Sequence, residues 1–362
     1  MRPLVVLSHT YVEPENRGKL RRLADQSPVF AVVPHRWEEP SLKRAWRLEG
    51  PARDGAVDLV PMRWWGPFRP SLGWMSAPAT MREDAVFQVE EEPWTPTAFL
   101  ATRRKRGAAT VLFTWENLAR RLPPPWSWMQ RATFAALDGL IAGSTGAADE
   151  ARRRGYVGPL AVIPQLGVEL GRPRSDAAAP GPLRVVFVGR LVPEKGADLL
   201  LRAAALAGAS VRVSVVGDGP ERAALEREAV LAGLAGRVSF LGARSHERVA
   251  ELWPEADALV LPSRTTPRWR EQLGHVLLEA MAHGVPVVGS TCGAIPEVVG
   301  AAGLLFPEGD AEALAAHLTR LASDAGTRRR LADAAYARAG AEFTNARIAA
   351  RTRAFHEEVL RR

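Results

Sequence analysis

Cysteine is almost absent: Cys292 is the only one in 362 residues. That excludes a disulfide framework and suits a reducing, cytoplasmic compartment. Lysine is nearly as scarce, since Lys19, Lys43, Lys105 and Lys195 are the only lysines among 48 basic residues. No apolar run approaches the roughly 18–20 residues of a membrane span. The first, Leu4–Leu7 behind Met1-Arg2-Pro3, is too short for a signal-peptide core. There is no short-period repeat, zinc-finger spacing or RNA-binding signature, so nucleic acid is not an expected partner. The seven histidines and the acids never fall into metal-ligand spacing, so no metal site is expected.

What is present is an ordinary globular balance, 47% hydrophobic and 24% charged. A length of 362 residues suits two domains of roughly 150. Basic residues outnumber acidic ones 48 to 40, a net charge of +8. Arginine and alanine saturate the chain, so part of that excess reflects coding bias. The remainder is open to an anionic membrane surface or phosphate-bearing ligands. Small basic clusters stand at Arg103–Arg106 and Arg152–Arg154.

Both halves alternate short β-rich runs with helical spacing, the pattern of a parallel sheet covered by helices on both faces. In the second half the strands are expected at Leu183–Gly189, Val211–Val216, Val238–Leu241, Ala258–Leu261, Val285–Val288 and Gly303–Phe306. Ala197–Ala207, Pro220–Ala232 and Gly274–His283 read as helices between them. The first half is noisier, with strands expected at Leu4–Ser8, Val29–Val33, Ala85–Val89, Thr110–Thr114 and Leu140–Gly143. Gly171–Pro182, rich in Gly, Pro, Ala and Asp, reads as a linker between two doubly wound units. The division expected is 1–170, 171–342 and a final helix in 343–362 that packs back toward the first domain.

Two patterns carry chemistry. Val188-Gly189-Arg190-Leu191-Val192-Pro193-Glu194-Lys195-Gly196 places one Arg and one Lys between a strand and a helix start. Free helix N–H groups and two cations suit a doubly charged phosphate, although a basic surface loop would look alike. Lys195 is notable in a chain that writes almost every cation as Arg, because ammonium and guanidinium are not interchangeable at a phosphate. The second pattern runs Glu271-Gln272-Leu273-Gly274-His275-Val276-Leu277-Leu278-Glu279. Gly274 stands where a helix should begin, and Glu279 a little over one turn inside it. A carboxylate there can accept two hydrogen bonds from vicinal hydroxyls, as on a ribose. Glu271, in the preceding loop, can reach hydroxyls of a second ring.

With these residues the chain resembles the family-4 retaining glycosyltransferases of the GT-B fold, over nearly all of 183–343. The likeness continues through Val215–Pro220, Val238–Gly242, Ala256–Ser263, Gly284–Ser290, Gly293–Glu297 and Gly303–Pro307, in the family's order. It implies two Rossmann-like domains facing a central cleft, with the donor on the second. It implies that Arg190 and Lys195 hold a diphosphate, Glu279 the ribose and Glu271 the transferred sugar. Gly274 and His275 would add backbone contacts to phosphate, and Leu241, Gly242 and Ala243 would flank the base. Gly217 is divided between touching ligand and shaping a turn. The donor would be a UDP- or GDP-linked sugar used as substrate, with no cofactor and no metal. Same-face substitution is implied, in which a donor phosphate oxygen takes the acceptor proton.

The first half matches the family less well. In place of a glycine pair after the first strand stands Ser8-His9-Thr10-Tyr11-Val12-Glu13-Pro14, with His9 a candidate on the acceptor side. In Thr114-Trp115-Glu116-Asn117, Glu116 stands where many members carry a His. It is a candidate to act on acceptor or sugar hydroxyls, or else caps a following helix. Glu90-Glu91-Glu92-Pro93-Trp94 ends a strand, and repulsion leaves one of the three acids expected to face inward. Nine of the eleven tryptophans precede Met129, interleaved with arginines. Trp94 and its neighbours suit a glycan or lipid-linked acceptor and peripheral contact with the inner face of the plasma membrane. The expected activity is transfer of a hexose-like sugar to an alcohol acceptor in polysaccharide or glycoconjugate synthesis. A sugar-nucleotide epimerase, a phosphorylase and a non-catalytic sugar-binding module are the alternatives on the same fold.

Overall fold

The run Leu4–Leu7 (β1) and most of Val29–Pro34 (β2) are buried at nearly every position. Continuous rather than alternating apolarity is what a parallel strand covered on both faces requires. In the computed structural model, which describes residues 2–39, 44–48, 50, 52–69, 72–75, 84–103, 108–173 and 181–362, there are two large sheets of this kind, and β1 and β2 belong to the first. Val57–Met62 (β3), Val86–Glu90 (β4), Ala109–Thr114 (β5), Gly139–Ala142 (β6) and Leu160–Val162 (β7) complete the first. Its order is β7-β6-β5-β4-β1-β2-β3, with Ala52–Asp54 added antiparallel at the β3 edge. Leu4 pairs with Val29 on one side and Val86 on the other.

The second sheet contains Leu183–Val188 (β8), Val211–Val216 (β9), Val238–Gly242 (β10), Ala258–Leu261 (β11), Val287–Ser290 (β12) and Leu304–Phe306 (β13). All its pairings are parallel, in the order β10-β9-β8-β11-β12-β13. Strand order therefore reverses between β1 and β4 in one sheet and between β8 and β11 in the other. At such a switch point the loops leaving adjacent strands diverge to opposite faces and open a crevice at the strands' C-terminal ends.

The chain divides into two compact units, residues 1–167 with 345–362 and residues 168–344. The last helix, Asn345–Arg361, buries Ile348, Ala349, Phe355 and Val359 in the same cluster as Leu4, Leu20 and Leu23. The approach is close. A Cβ on Gly18 would stand 2.3 Å from Asn345, and one on Gly139 2.6 Å from Val359.

The first unit holds more strand than its composition suggests. Ala52–Asp54, Val57–Met62 and Leu160–Val162 join the sheet, and Arg36–Glu39 with Arg44–Arg47 and Trp64–Trp65 with Trp74–Met75 form small hairpins. Val57–Met62 hides its strand because Asp58 and Pro61 interrupt the apolar run. Asp58 is tolerated because Arg53 of the paired strand donates to it at 2.6 Å. The stretch 171–182 read as a linker lies largely outside the described residues, as do Arg104 and Arg106. Arg152, Arg153 and Arg154 are not a bare basic patch: Arg154 and Arg153 pair with Glu150, and Arg152 donates to the carbonyls of Tyr156 and Gly158. Among the described residues no helix is long and apolar enough to cross a membrane.

Candidate functional site

The loop leaving β8 is shaped by close backbone packing. Leu191 N–H donates to Asp218 carbonyl at 2.9 Å and Gly189 N–H to Val216 carbonyl at 3.0 Å, joining the loops after β8 and β9. Gly217 lies at φ +140°, where a Cβ would stand 1.8 Å from Gly189 carbonyl oxygen. This contact accounts for the glycine as a turn and packing residue. Pro193–Lys195 forms a short 3-10 turn, and the helix Ala197–Leu206 follows.

That turn delivers Lys195 to Glu271. Lys195 Nζ lies 2.7 Å from Glu271 Oε2 and 4.7 Å from the centre of the Trp269 ring. Ser263, just beyond β11, donates to the same oxygen at 2.8 Å. Glu271 is buried, and its carbonyl receives Ala294 N–H at 3.1 Å, so the loop is held at both ends. The ammonium and carboxylate thus sit at the switch point of the second sheet. Arg190 is more exposed and reaches Glu194 at 3.9 Å.

Gly274 caps the helix His275–Met281 at φ +72°. Four residues along the same helix from His275, Glu279 Oε1 lies 3.0 Å from His275 Nδ1 and 3.2 Å from His246 Nδ1. Burial raises the Glu279 carboxyl, but hydrogen bonds and charge from the two imidazoles outweigh it and bring it down to about 2. Glu279 is therefore a secure carboxylate, the form that accepts hydroxyl hydrogens. Leu241, Gly242 and Ala243 lie where β10 ends, and Gly242 carbonyl receives Gly217 N–H at 2.9 Å. His246, Ser263 and Trp269 are site residues that the sequence does not signal. His246 reaches Glu279 from the start of the helix after β10, and Trp269 reaches Lys195 from the loop after β11, contacts between separate segments that no spacing marks, whereas Ser263 meets Glu271 within that same loop. Among the described residues no three His, Cys, Asp or Glu side chains gather as metal ligands.

In the first unit the expectation that one of Glu90, Glu91 and Glu92 faces inward is incorrect. All three are buried, because each finds its own compensation. Glu90 receives Lys19 Nζ at 2.7 Å, Tyr11 Oη at 2.6 Å and Gln165 Nε2 at 2.9 Å. Glu91 Oε1 lies 2.6 Å from His9 Nδ1. Glu92 accepts from Thr114 Oγ1 at 2.6 Å and Trp115 N–H at 3.0 Å. Burial, then the neighbouring charge of Glu116, pushes the Glu92 carboxyl up to about 8. Repulsion is relieved by a cation, an imidazole and a retained proton rather than by exposure.

Glu116 caps no helix, since residues 115–123 contain none. Its carboxylate takes Trp94 Nε1 at 3.3 Å and Arg120 Nη2 at 2.5 Å, and the Arg120 guanidinium stacks 4.7 Å above the Trp94 ring. Trp94, Glu116 and Arg120 are one cluster, whereas His9 is held separately by Glu91. Its ring stacks on Trp37 at 4.5 Å and meets Trp115 edge-on at 6.3 Å.

Residues 173–338 match the family described as glycosyl transferases group 1. A 2-deoxystreptamine N-acetyl-D-glucosaminyltransferase of Streptomyces fradiae is 39% identical over 172 residues, covering 46% of this chain and 36% of that enzyme. The amylovoran biosynthesis glycosyltransferase AmsK of Erwinia amylovora is 36% identical over 146 residues, covering 39% and 36%. The chain thus spans about a third of the length of these curated relatives. Among solved structures, sucrose-phosphate synthase of Thermosynechococcus elongatus aligns over 99% of both chains with a TM-score of 0.72 at 20% identity. Anabaena HepE in complex with UDP aligns over 99% of this chain and 100% of its own, with a TM-score of 0.69 at 18% identity. The fold is GT-B, with two Rossmann-like domains.

Proposed function

From a second unit that belongs to the group 1 glycosyltransferases, on a GT-B fold, we propose that this chain transfers a hexose-like sugar from a nucleoside diphosphate to an alcohol acceptor. The product would enter polysaccharide or glycoconjugate synthesis, as the name of the AmsK relative suggests. The observation that carries the reading is the Lys195–Glu271 pair at 2.7 Å on the switch point of the second sheet. A cation and a carboxylate side by side suit a ligand that joins a diphosphate to a polyol.

In this reading the nucleotide ribose binds Glu279, whose two histidines keep it ionised. Glu271 takes hydroxyls of the sugar. As the sugar–phosphate bond loosens, negative charge grows on the diphosphate, and Lys195 and Arg190 bind it more tightly than in the ground state. Transfer would proceed with retention and without a metal, whose role the two cations would take. A thermal-shift screen of UDP- and GDP-linked sugars tests the assignment, because a bound donor stabilises the fold by mass action. A melting temperature that none of them raises would leave the fold standing and remove this function. A coupling constant at the product's anomeric proton decides retention, and unchanged rates in EDTA would support metal independence.

A lipid-linked acceptor is favoured by one feature. Trp65 and Trp74 are cross-strand partners in a hairpin, both exposed, and the Arg63 guanidinium stacks 3.7 Å over the Trp65 ring. Paired indoles with a cation suit the headgroup layer of an anionic membrane.

A further inference from the structure

Lys195 Nζ meets two partners of different kinds on the loop that follows β11. Glu271 Oε2 accepts from it at 2.7 Å, and the centre of the Trp269 ring lies 4.7 Å away. Lys195, Trp269 and Glu271 all belong to residues 168–344, so the arrangement is complete within the second unit. The two loops that meet follow β8 and β11, the strands between which the order of that sheet reverses.

The indole is held by its own loop. Thr266 N–H donates to the Trp269 carbonyl at 2.8 Å, and Trp269 N–H returns a bond to the Thr266 carbonyl at 3.4 Å. The Thr266 hydroxyl also donates to the Trp269 carbonyl, at 3.4 Å. A turn closed in this way fixes the backbone that carries the ring. Trp269 is half-buried, against the core that contains Leu261, Leu277 and Cys292.

An aromatic face is a particular kind of partner for a cation. Its quadrupole attracts the ammonium without carrying net charge. A second carboxylate in its place would also restrain Lys195, but would turn the group into a net anion that repels phosphate. Lysine has a flexible four-carbon stem, so a contact that restrains it lowers the entropy lost when the ammonium meets a ligand. The Lys195 side chain is only 17% exposed, and cover by an apolar ring strengthens its attraction to an incoming anion.

We propose that Trp269 is a positioning residue of the donor site. Its ring face presents the Lys195 ammonium to the diphosphate, and so sets how strongly a nucleoside diphosphate is preferred over the monophosphate. The inference rests on the glycosyltransferase reading and assigns no step of the transfer to Trp269, which acts through Lys195. Glu271 restrains the ammonium by a directional bond, and Trp269 restrains it without neutralising it.

Calorimetry of UDP against UMP, and of GDP against GMP, tests this, because the ratio of the two affinities isolates the second phosphate. For the base that the parent binds, W269L should shrink that ratio by about 10-fold, the size of a well-covered cation–π contact. W269F, which keeps a ring face, should retain most of the ratio. Added to K195A, W269L should change the ratio no further, since the lysine through which Trp269 acts is gone. W269M takes the place of W269L if the latter does not fold. A folded non-aromatic variant whose ratio matches the parent's, whether both affinities hold or both fall together, overturns the assignment alone. So does a W269F protein as impaired as W269L, or a further loss of the ratio in the double variant. A parent that binds neither UDP nor GDP overturns the glycosyltransferase reading and this assignment with it.

Discussion

Lys195 and Glu271 stand 76 residues apart in the chain, and their ammonium and carboxylate lie 2.7 Å from each other. The sequence assigns them to different parts of one donor, diphosphate and sugar. The structure makes them mutual counter-ions, so altering one disturbs the other.

Lys195→Ala should therefore have two effects. Loss of a charge-assisted contact to the departing diphosphate should cut transfer by at least about 100-fold. Glu271, buried and deprived of its cation, should also cost roughly 1–3 kcal/mol of stability. Adding Glu271→Gln should recover most of the melting temperature and none of the activity. A double mutant as unstable as Lys195→Ala would show that the pair does not carry that energy.

The two glutamates should separate by calorimetry. Glu279→Gln should weaken free UDP or GDP through the ribose, whereas Glu271→Gln should spare the free nucleotide and weaken only the sugar-bearing donor. Equal effects on free nucleotide would contradict the division. Glu279 also makes a prediction in acid. Its folded carboxyl sits at about 2, below its ordinary 4.5. Its stabilisation is thus complete above the ordinary value and disappears as pH falls from there toward about 2. Melting curves of Glu279→Gln should lack that part of the acid decline.

Glu92 has the opposite sign. Burial and the charge of Glu116 raise it to about 8 from an ordinary 4.5. Between those values the folded chain holds a proton that the unfolded chain has released, so stability falls as pH rises through the window. Glu92→Gln, a neutral stand-in for the protonated acid, should raise the melting temperature at about pH 8–9 relative to the parent, with little change at about pH 4. Calorimetry at the two pH values checks it, and parallel pH curves for the two proteins would refute the retained proton.

The Trp65–Trp74 hairpin predicts a salt-sensitive interaction. The parent should bind vesicles of equal parts phosphatidylglycerol and phosphatidylcholine at low salt. Roughly 1 kcal/mol per nearby basic residue would fade as salt is added. Trp65→Ser with Trp74→Ser and Arg63→Gln should reduce cosedimentation without altering nucleotide affinity. A parent that ignores such vesicles at low salt favours a water-soluble acceptor.

Most of the second sheet is legible in the amino-acid order alone. Its strands are continuous apolar runs such as Val211–Val216 and Ala258–Leu261, and parallel strands buried on both faces leave that unbroken signal. Gly274 at the head of a helix is readable for a similar reason, since both the glycine and the helical spacing are local. Edge and hairpin strands such as Ala52–Asp54 and Trp64–Trp65 are not, because partial exposure lets polar residues and short lengths obscure the pattern. Long-range polar partners are invisible for a stronger reason. His9 and Glu91 are 82 residues apart, as are Lys195 and Glu271 by 76, and only the order in which strands assemble puts their loops side by side. From the run Glu90-Glu91-Glu92 alone, repulsion argues for exposure. Tertiary structure reverses that expectation by supplying Lys19, His9 and Thr114 from separate segments, each bonded to one of the acids in a buried place.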